Sequence, residues 1–355
     1  MSRFLSPLLD RLTPYVPGEQ PRDRRYVKLN TNESPFPPAP GVLEAVDRAA
    51  LEGLNRYPDP AAAALEAALA ARFGLRPAQA LATNGSDEAL AFCMRAFCDA
   101  SRPPCFADVT YGFYAVLACA QRLEPVVRPL DERFRVRVED YLDAPGPVFL
   151  ANPNAPSGLF LPLSDVERIV RANPDLPVIV DEAYVDFGGQ SAAGLIDRYA
   201  NLLVEQTFSK SRNLAGVRIG FALGQEEILS DLRACKNAFN PYSLDSLALR
   251  IGEAAVRDEA YLRRCTEEIV RTREAFLQAL RSRGFTGNDS AANFVFVRHP
   301  RLSGRAYYEA LREKGVLVRY FEGPRTRDFV RITVGTPEDM RALLAATDAI
   351  EEENG

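Results

Sequence analysis

The sequence predicts an α/β protein, a mainly parallel, doubly wound sheet wrapped by helices, with a smaller α+β domain beside it. Three observations predict it. Short, wholly apolar runs alternate with helical patterns through the middle of the chain, and strands apolar on both faces belong to a parallel sheet buried by helices on each side. The 355 residues, at roughly 150 per domain, leave room for one large domain and a smaller one. Beyond residue 250 the rhythm changes to one long helix followed by mixed strands and helices.

Proline sets the first elements. Residues 34–40 (Ser-Pro-Phe-Pro-Pro-Ala-Pro) are stiff and extended, a strap rather than a helix. Asp59 and Pro60 read as N-cap and first residue of a helix that passes Leu65 and Leu69 and stops at Gly74. A strand at 80–83 leads into Asn84-Gly85-Ser86-Asp87-Glu88 and a helix carrying Leu90, Met94 and Phe97. Strands at 147–151, 177–180 and 202–204 follow, with a helix at 164–172. One long helix spans 258–283, with Leu262, Ile269, Phe276 and Leu280 on one face and Gly284 as its stop. A strand at 293–297, a helix at 304–314, strands at 316–319 and 329–334 and a terminal helix complete the chain. The expected organisation is an N-terminal arm at 1–40 contributing to the small domain, a large domain at 41–250 and a small α+β domain at 251–355.

Composition narrows the function. Apolar residues at 47% and charged residues at 26% exclude a disordered, collagen-like or coiled-coil chain. A net charge of −5 offers no surface for nucleic acid or an anionic membrane. His299 is the only histidine, so a Ser-His-Asp triad or a multi-histidine metal site would have to use one imidazole; no metal is expected, and His299 reads as a loop residue at a strand end. Six cysteines without a C-x-x-C pair read as reduced thiols. The first twenty residues lack the apolar core of a secretion signal, and no apolar run approaches the roughly 18 to 20 residues of a membrane span. The expected location is cytoplasmic.

In a doubly wound sheet, ligands bind outside the carboxyl ends of the strands. Four segments place polar residues there: Asn84 to Glu88, Asn152-Pro153-Asn154, Asp181-Glu182-Ala183-Tyr184, and Ser209-Lys210. Each has a plain reading as a turn, a helix cap, a turn carboxylate or a solvated charge. Together they offer a lysine able to form a Schiff base, an acid able to hold a pyridinium proton, donors for a phenolate oxygen, and amides for a phosphate that an arginine would complete. That is the chemistry of pyridoxal phosphate.

On these pieces, with Leu29-Asn30-Thr31-Asn32-Glu33-Ser34-Pro35, Arg56-Tyr57-Pro58, Tyr111-Gly112-Phe113-Tyr114, Arg218, Gly220-Phe221 and Arg331-Ile332-Thr333-Val334-Gly335, the chain resembles the fold-type-I, pyridoxal-phosphate-dependent aminotransferases, and among them the histidinol-phosphate aminotransferase group. The resemblance implies that Lys210 carries the cofactor and shuttles the substrate proton, and that Asp181 pairs with the ring nitrogen. It further implies that Asn154 and Tyr184 donate to the phenolate oxygen and that Tyr111 stacks on the ring. The amides of Ser86 and Asp87, with Ser209 and Arg218, would clamp the phosphate; the Asp87 carboxylate, repelled by that phosphate, is expected to cap the helix or point away. Tyr57 would reach the neighbouring subunit's cofactor, implying a homodimer with shared active sites. Arg331, helped by Arg319, would hold the substrate's anionic group, Asn154 would also contact substrate, and Tyr15 would close over it. Arg212 adds a charge that could lower the Lys210 pKa or simply face outward.

The implied reaction interconverts L-histidinol phosphate and 2-oxoglutarate with imidazole-acetol phosphate and L-glutamate, in histidine biosynthesis. An aromatic amino-acid aminotransferase and a threonine-phosphate decarboxylase are alternatives on the same fold. A nucleotide-binding oxidoreductase is disfavoured because Asn84 to Asp87 is not a G-x-G-x-x-G turn.

Overall fold

The computed structural model describes residues 3–6, 9 and 11–353; positions 1, 2, 7, 8, 10, 354 and 355, which include part of the expected arm, lie outside the described residues. After the short strand β1 (Val27–Lys28) come seven strands that build the main sheet: β2 (Ala80–Thr83), β3 (Cys105–Ala107), β4 (Val126–Arg128), β5 (Val148–Ala151), β6 (Val178–Asp181), β7 (Leu202–Thr207) and β8 (Gly220–Gly224). Their spatial order is β2-β8-β7-β6-β5-β3-β4. The run from β7 to β4 is parallel throughout, whereas β8 is antiparallel to both β2 and β7. The sheet is thus mainly parallel, as expected.

Burial follows from composition. Val178, Ile179 and Val180 are fully buried, as are Leu202, Leu203 and Val204, because helices cover both faces. Helices Ala63–Phe73, Leu163–Ala172 and Ser246–Arg257 pack on one side, with Leu65, Val166 and Ala248 in that core. Helices Ser86–Phe97, Phe113–Ala120 and Glu226–Phe239 pack on the other, with Leu90, Leu117 and Leu229.

The smaller block contains β9 (Thr286–Gly287), β10 (Phe294–Arg298), β11 (Val316–Leu317), β12 (Arg319–Tyr320) and β13 (Phe329–Thr333). An antiparallel sheet runs β12-β13-β10-β9, while β1 pairs in parallel with β11. Helices Glu259–Arg281 and Pro337–Glu353 cover it, meeting in a core that includes Leu280, Val295, Leu343 and Ile350.

Three local expectations are corrected. The strand expected at 316–319 breaks at Val318, because Leu317 pairs with Lys28 and Arg319 with Arg331. The helix expected from Pro60 begins at Ala63: Ala62 takes the left-handed conformation, φ +48°, and the Asp59 carboxylate accepts from the Ala61 and Ala63 amides at 2.9 and 2.8 Å. His299 does follow β10, but it is buried; its Nδ1 accepts from the Arg301 and Leu302 amides at 3.1 Å each, and burial pushes its pKa down to about 4, so it is a neutral turn brace.

Ile179 is fully buried at the centre of the main sheet, in a close-packed core with Leu90, Phe149 and Leu203. Ile179→Ala should cost about 2–5 kcal/mol of stability, read as a lower urea midpoint with an unchanged slope.

Candidate active site

The turns after β2, β6 and β7 open onto one cleft, closed from the other side by the small sheet and by residues 15–32. A cavity of about 210 Å³ there is lined by Ser86, Asp87, Tyr111, Asp181, Tyr184, Ser209, Lys210 and Arg218, and by Tyr15, Arg319 and Arg331. These are eleven of the thirteen residues singled out from the sequence. A larger cavity of about 1420 Å³ shares Tyr15, Tyr111, Arg319 and Arg331 and leads outward.

Lys210 lies just past β7, where Phe208 is buried as a plug and the Ser209 amide donates to Thr207 Oγ1 at 3.1 Å. Its Nζ donates to the Thr31 carbonyl at 3.0 Å and sits 5.9 Å from the Tyr184 ring centre. Burial pushes the amine down to about 8, and the Arg331 guanidinium adds to that. Arg212 faces away, donating to the Ala255 carbonyl and Glu259 at 2.6 and 2.8 Å; its charge is spent on a helix junction.

Asp181 ends β6 with one carboxylate oxygen accepting from Tyr114 Oη at 2.7 Å and the other from the Ala183 amide at 3.2 Å. Burial raises it to about 6, while both donors pull it back. A buried carboxylate with only neutral donors is a place for a cation.

The turn after β2 is shaped by glycine. Gly85 has φ +75°, and Ser86 opens the helix Ser86–Phe97, leaving its first amides without intrahelical partners. A Cβ on Gly220 would lie 2.3 Å from the Ser86 nitrogen, so only glycine lets β8 approach this turn. Arg218 Nη1 donates to Ser209 Oγ at 3.2 Å. The Asp87 side chain neither caps the helix nor points away: Oδ1 accepts from Tyr111 Oη at 2.8 Å and Oδ2 lies 3.4 Å from Arg218 Nη2. The charge on Arg218 draws it in, and it ties the Tyr111 ring to the phosphate-type cradle.

Asn154 is also corrected. Its Nδ2 donates to the Val109 carbonyl and Ser157 Oγ at 2.9 and 3.0 Å, and its Oδ1 accepts from Thr110 Oγ1 at 2.7 Å. Both amide hydrogens are taken up in bracing this turn against the loop after β3, and Ala155 lines the cavity instead. Tyr57 is elsewhere, 81% exposed and stacked on Tyr242 with centres 4.5 Å apart.

Arg331 projects from β13 between the Phe294 and Phe321 rings, 5.3 and 5.4 Å from their centres. Nη2 donates to the Asn30 carbonyl at 3.2 Å, and the buried Nε has no partner, while burial pulls the guanidinium pKa down. Such a group is a seat for an anion. Arg319 donates to the Val16 and Pro17 carbonyls at 2.8 and 3.2 Å, pinning the segment that carries Tyr15. Tyr15 then meets Tyr111 and Phe113 edge-on, with centres 6.1 and 6.2 Å apart.

Sequence reasoning missed four positions: Tyr114, Gly220, Asn32, whose Nδ2 donates to Tyr184 Oη at 2.9 Å, and Thr31. All lie inside quoted motifs, but their roles depend on contacts across the fold. The donor set fits pyridoxal phosphate: free helix amides with Ser209 and Arg218 for a phosphate, Asp181 for a ring cation, the Tyr184 hydroxyl for a phenolate and Lys210 for an aldehyde. Among the described residues no cluster of His, Cys, Asp or Glu is placed to hold a metal, and no helix is long and apolar enough to cross a membrane.

Comparison with known proteins agrees with this geometry. The family of class I and II aminotransferases matches residues 24–346. A histidinol-phosphate aminotransferase of a Marinomonas species is 49% identical over 350 residues, covering 98% of this chain and 99% of its own, and one from Pseudomonas aeruginosa is 48% identical over 346 residues, covering 98% and 99%. The crystal structure of histidinol-phosphate aminotransferase from Sinorhizobium meliloti, in complex with pyridoxal-5'-phosphate, superposes with a TM-score of 0.89 at 27% identity, covering 100% of this chain and 99% of that one.

The lowered amine pKa has a direct consequence. With the folded value near 8 against an ordinary 10.5, the folded chain sheds this proton first as pH rises, so the burial penalty on stability is full below 8 and relieved above it. Amine-directed labelling resolved by mass spectrometry should show Lys210 reactivity rising through a midpoint near 8; a midpoint near 10.5 would contradict the burial argument.

Proposed function

The chain belongs to the class I and II aminotransferase family, and on that premise we infer that it is a pyridoxal-phosphate-dependent transaminase interconverting L-histidinol phosphate and 2-oxoglutarate with imidazole-acetol phosphate and L-glutamate, in histidine biosynthesis. The observation that carries the substrate reading is Arg331, a half-buried guanidinium with a buried, unpartnered Nε, lining both cavities. One planar fork can take a phosphate in one half-reaction and a carboxylate in the other.

Bound pyridoxal phosphate supplies an electron sink conjugated to the substrate amine. Lys210 holds the cofactor and, with its amine readily neutral, moves the proton at the substrate Cα. Asp181, oriented by Tyr114, keeps a proton on the ring nitrogen. The Ser86 and Asp87 amides, Ser209 and Arg218 hold the phosphate, Tyr184 donates to the phenolate oxygen, and Tyr111 flanks the ring. Tyr15, anchored through Arg319, limits water at the substrate.

A homodimer with Tyr57 reaching the partner's site is supported by the exposure of the Tyr57 and Tyr242 stack, with Leu51 and Leu54 exposed in the same stretch. Six free cysteines suit a reducing, cytoplasmic setting. The proposed units are a large domain at 41–250 and a small domain at 251–355, to which the arm at 1–40 contributes through the pairing of β1 with β11.

The test is glutamate formation from 2-oxoglutarate with histidinol phosphate, against phenylalanine as donor and threonine phosphate as a source of carbon dioxide; no histidinol-phosphate-dependent glutamate would sink the assignment. Arg331→Gln should lower kcat/KM about a hundredfold for histidinol phosphate and 2-oxoglutarate alike. Gly220→Ala, by pushing on the Ser86 amide, should weaken cofactor affinity about tenfold or more while the chain still folds, as equilibrium dialysis would show.

A further inference from the structure

We propose that Asn32 is a positioning residue that makes Tyr184 an obligate hydrogen-bond donor to the cofactor, a task made necessary because Ala155, which has no side-chain donor, lines the cavity where Asn154 turns away. The inference rests on the pyridoxal-phosphate reading of the cavity and deepens it.

The argument is one of proton direction. Asn32 Nδ2 lies 2.9 Å from Tyr184 Oη, and an amide nitrogen can only donate. The phenol oxygen therefore accepts from Asn32 and keeps its own proton for another acceptor. Which end of the amide faces Tyr184 is decided by Thr333. Its Oγ1 already accepts from the Asn32 backbone amide at 2.9 Å, so its proton needs an acceptor, and Asn32 Oδ1 is 3.2 Å away. Turning the amide over would leave that proton unsatisfied in a buried place, since Asn32 and Thr333 are 1% and 3% exposed.

The backbone favours the same assignment. Asn32 has φ +56°, a left-handed conformation that asparagine tolerates better than most residues, and its carbonyl accepts from Asn293 Nδ2 at 3.0 Å. Tyr184 is steadied from the other side by the Phe294 ring, edge-on with centres 5.1 Å apart. Its hydroxyl thus has a fixed donor behind it and the cavity in front.

The readout is the visible absorbance of the bound cofactor titrated against pH, in the wild type, Asn32→Gly, Tyr184→Phe and the double variant; glycine keeps the left-handed backbone. Asn32→Gly should raise the spectroscopic midpoint by about one pH unit, the scale of one hydrogen bond to a charged oxygen, and weaken cofactor binding about tenfold. In the Tyr184→Phe background the same change should add nothing. Thr333→Ser should keep the wild-type midpoint and Thr333→Val should raise it, a second route if Asn32→Gly does not fold. An unshifted Asn32→Gly, or an equal shift with and without the Tyr184 hydroxyl, overturns the inference alone. A wild-type chain that takes up no pyridoxal phosphate overturns it together with the reading of the site.

Discussion

Two cations, Lys210 and Arg331, share one cleft, and a single stretch of backbone accepts from both. The Asn30 carbonyl accepts from Arg331 and the Thr31 carbonyl from Lys210. Carbonyl dipoles stabilise the charges without neutralising them, so burial pulls both pKa values down, and Lys210, which also feels the Arg331 charge, gives up its proton more readily. The chemistry therefore depends on a segment just after β1, far from either residue in sequence.

That segment is stitched into the small sheet. The Leu29 amide donates to the Leu317 carbonyl at 2.8 Å, and the Leu29 carbonyl accepts from the Thr333 amide at 2.9 Å. Asn32 continues the link, its amide donating to Thr333 Oγ1, its carbonyl accepting from Asn293 Nδ2 and its Nδ2 donating to Tyr184 Oη at the edge of the large sheet. Substrate-side and cofactor-side groups are thereby linked through one hydrogen-bonded segment.

Beneath the site the main sheet holds buried acids. Glu205 pairs with Asp181 in register, accepts from Cys93 Sγ at 2.9 Å and is driven well above the usual carboxylate range by burial, which favours its neutral form. Glu182 faces other partners, Ser191 Oγ and the Ala192 amide, both at 2.6 Å, and burial raises it to about 7. Asp181, wired to Tyr114 and the Ala183 amide, is the one of these three acids that lines the cavity.

Apolar strands that need cover on both faces determined the α/β class, and strand-end polar residues determined that Lys210, Asp181, Tyr184 and Ser86 would meet, because carboxyl ends of parallel strands lie along one edge, while Arg218 came only from the family resemblance. Other features were beyond a linear reading. Asn154 and Ala155 differ by one position in a turn, and hydrogen bonds to Ser157 and across to the loop after β3 decide which faces the cavity. Asp87 turns inward because Arg218 and Tyr111, distant in sequence, attract it. Val318 breaks a continuous apolar strand because two different sheets claim its neighbours. The sequence by itself determined which chemical groups the protein has and which strand ends carry them, since those follow from periodicity and local turns. Only the tertiary structure decided proton directions and the Lys210 pKa, since both depend on which buried atoms face each other across 150 to 300 residues of chain, as in Asn32 with Tyr184 and Asn30 with Arg331.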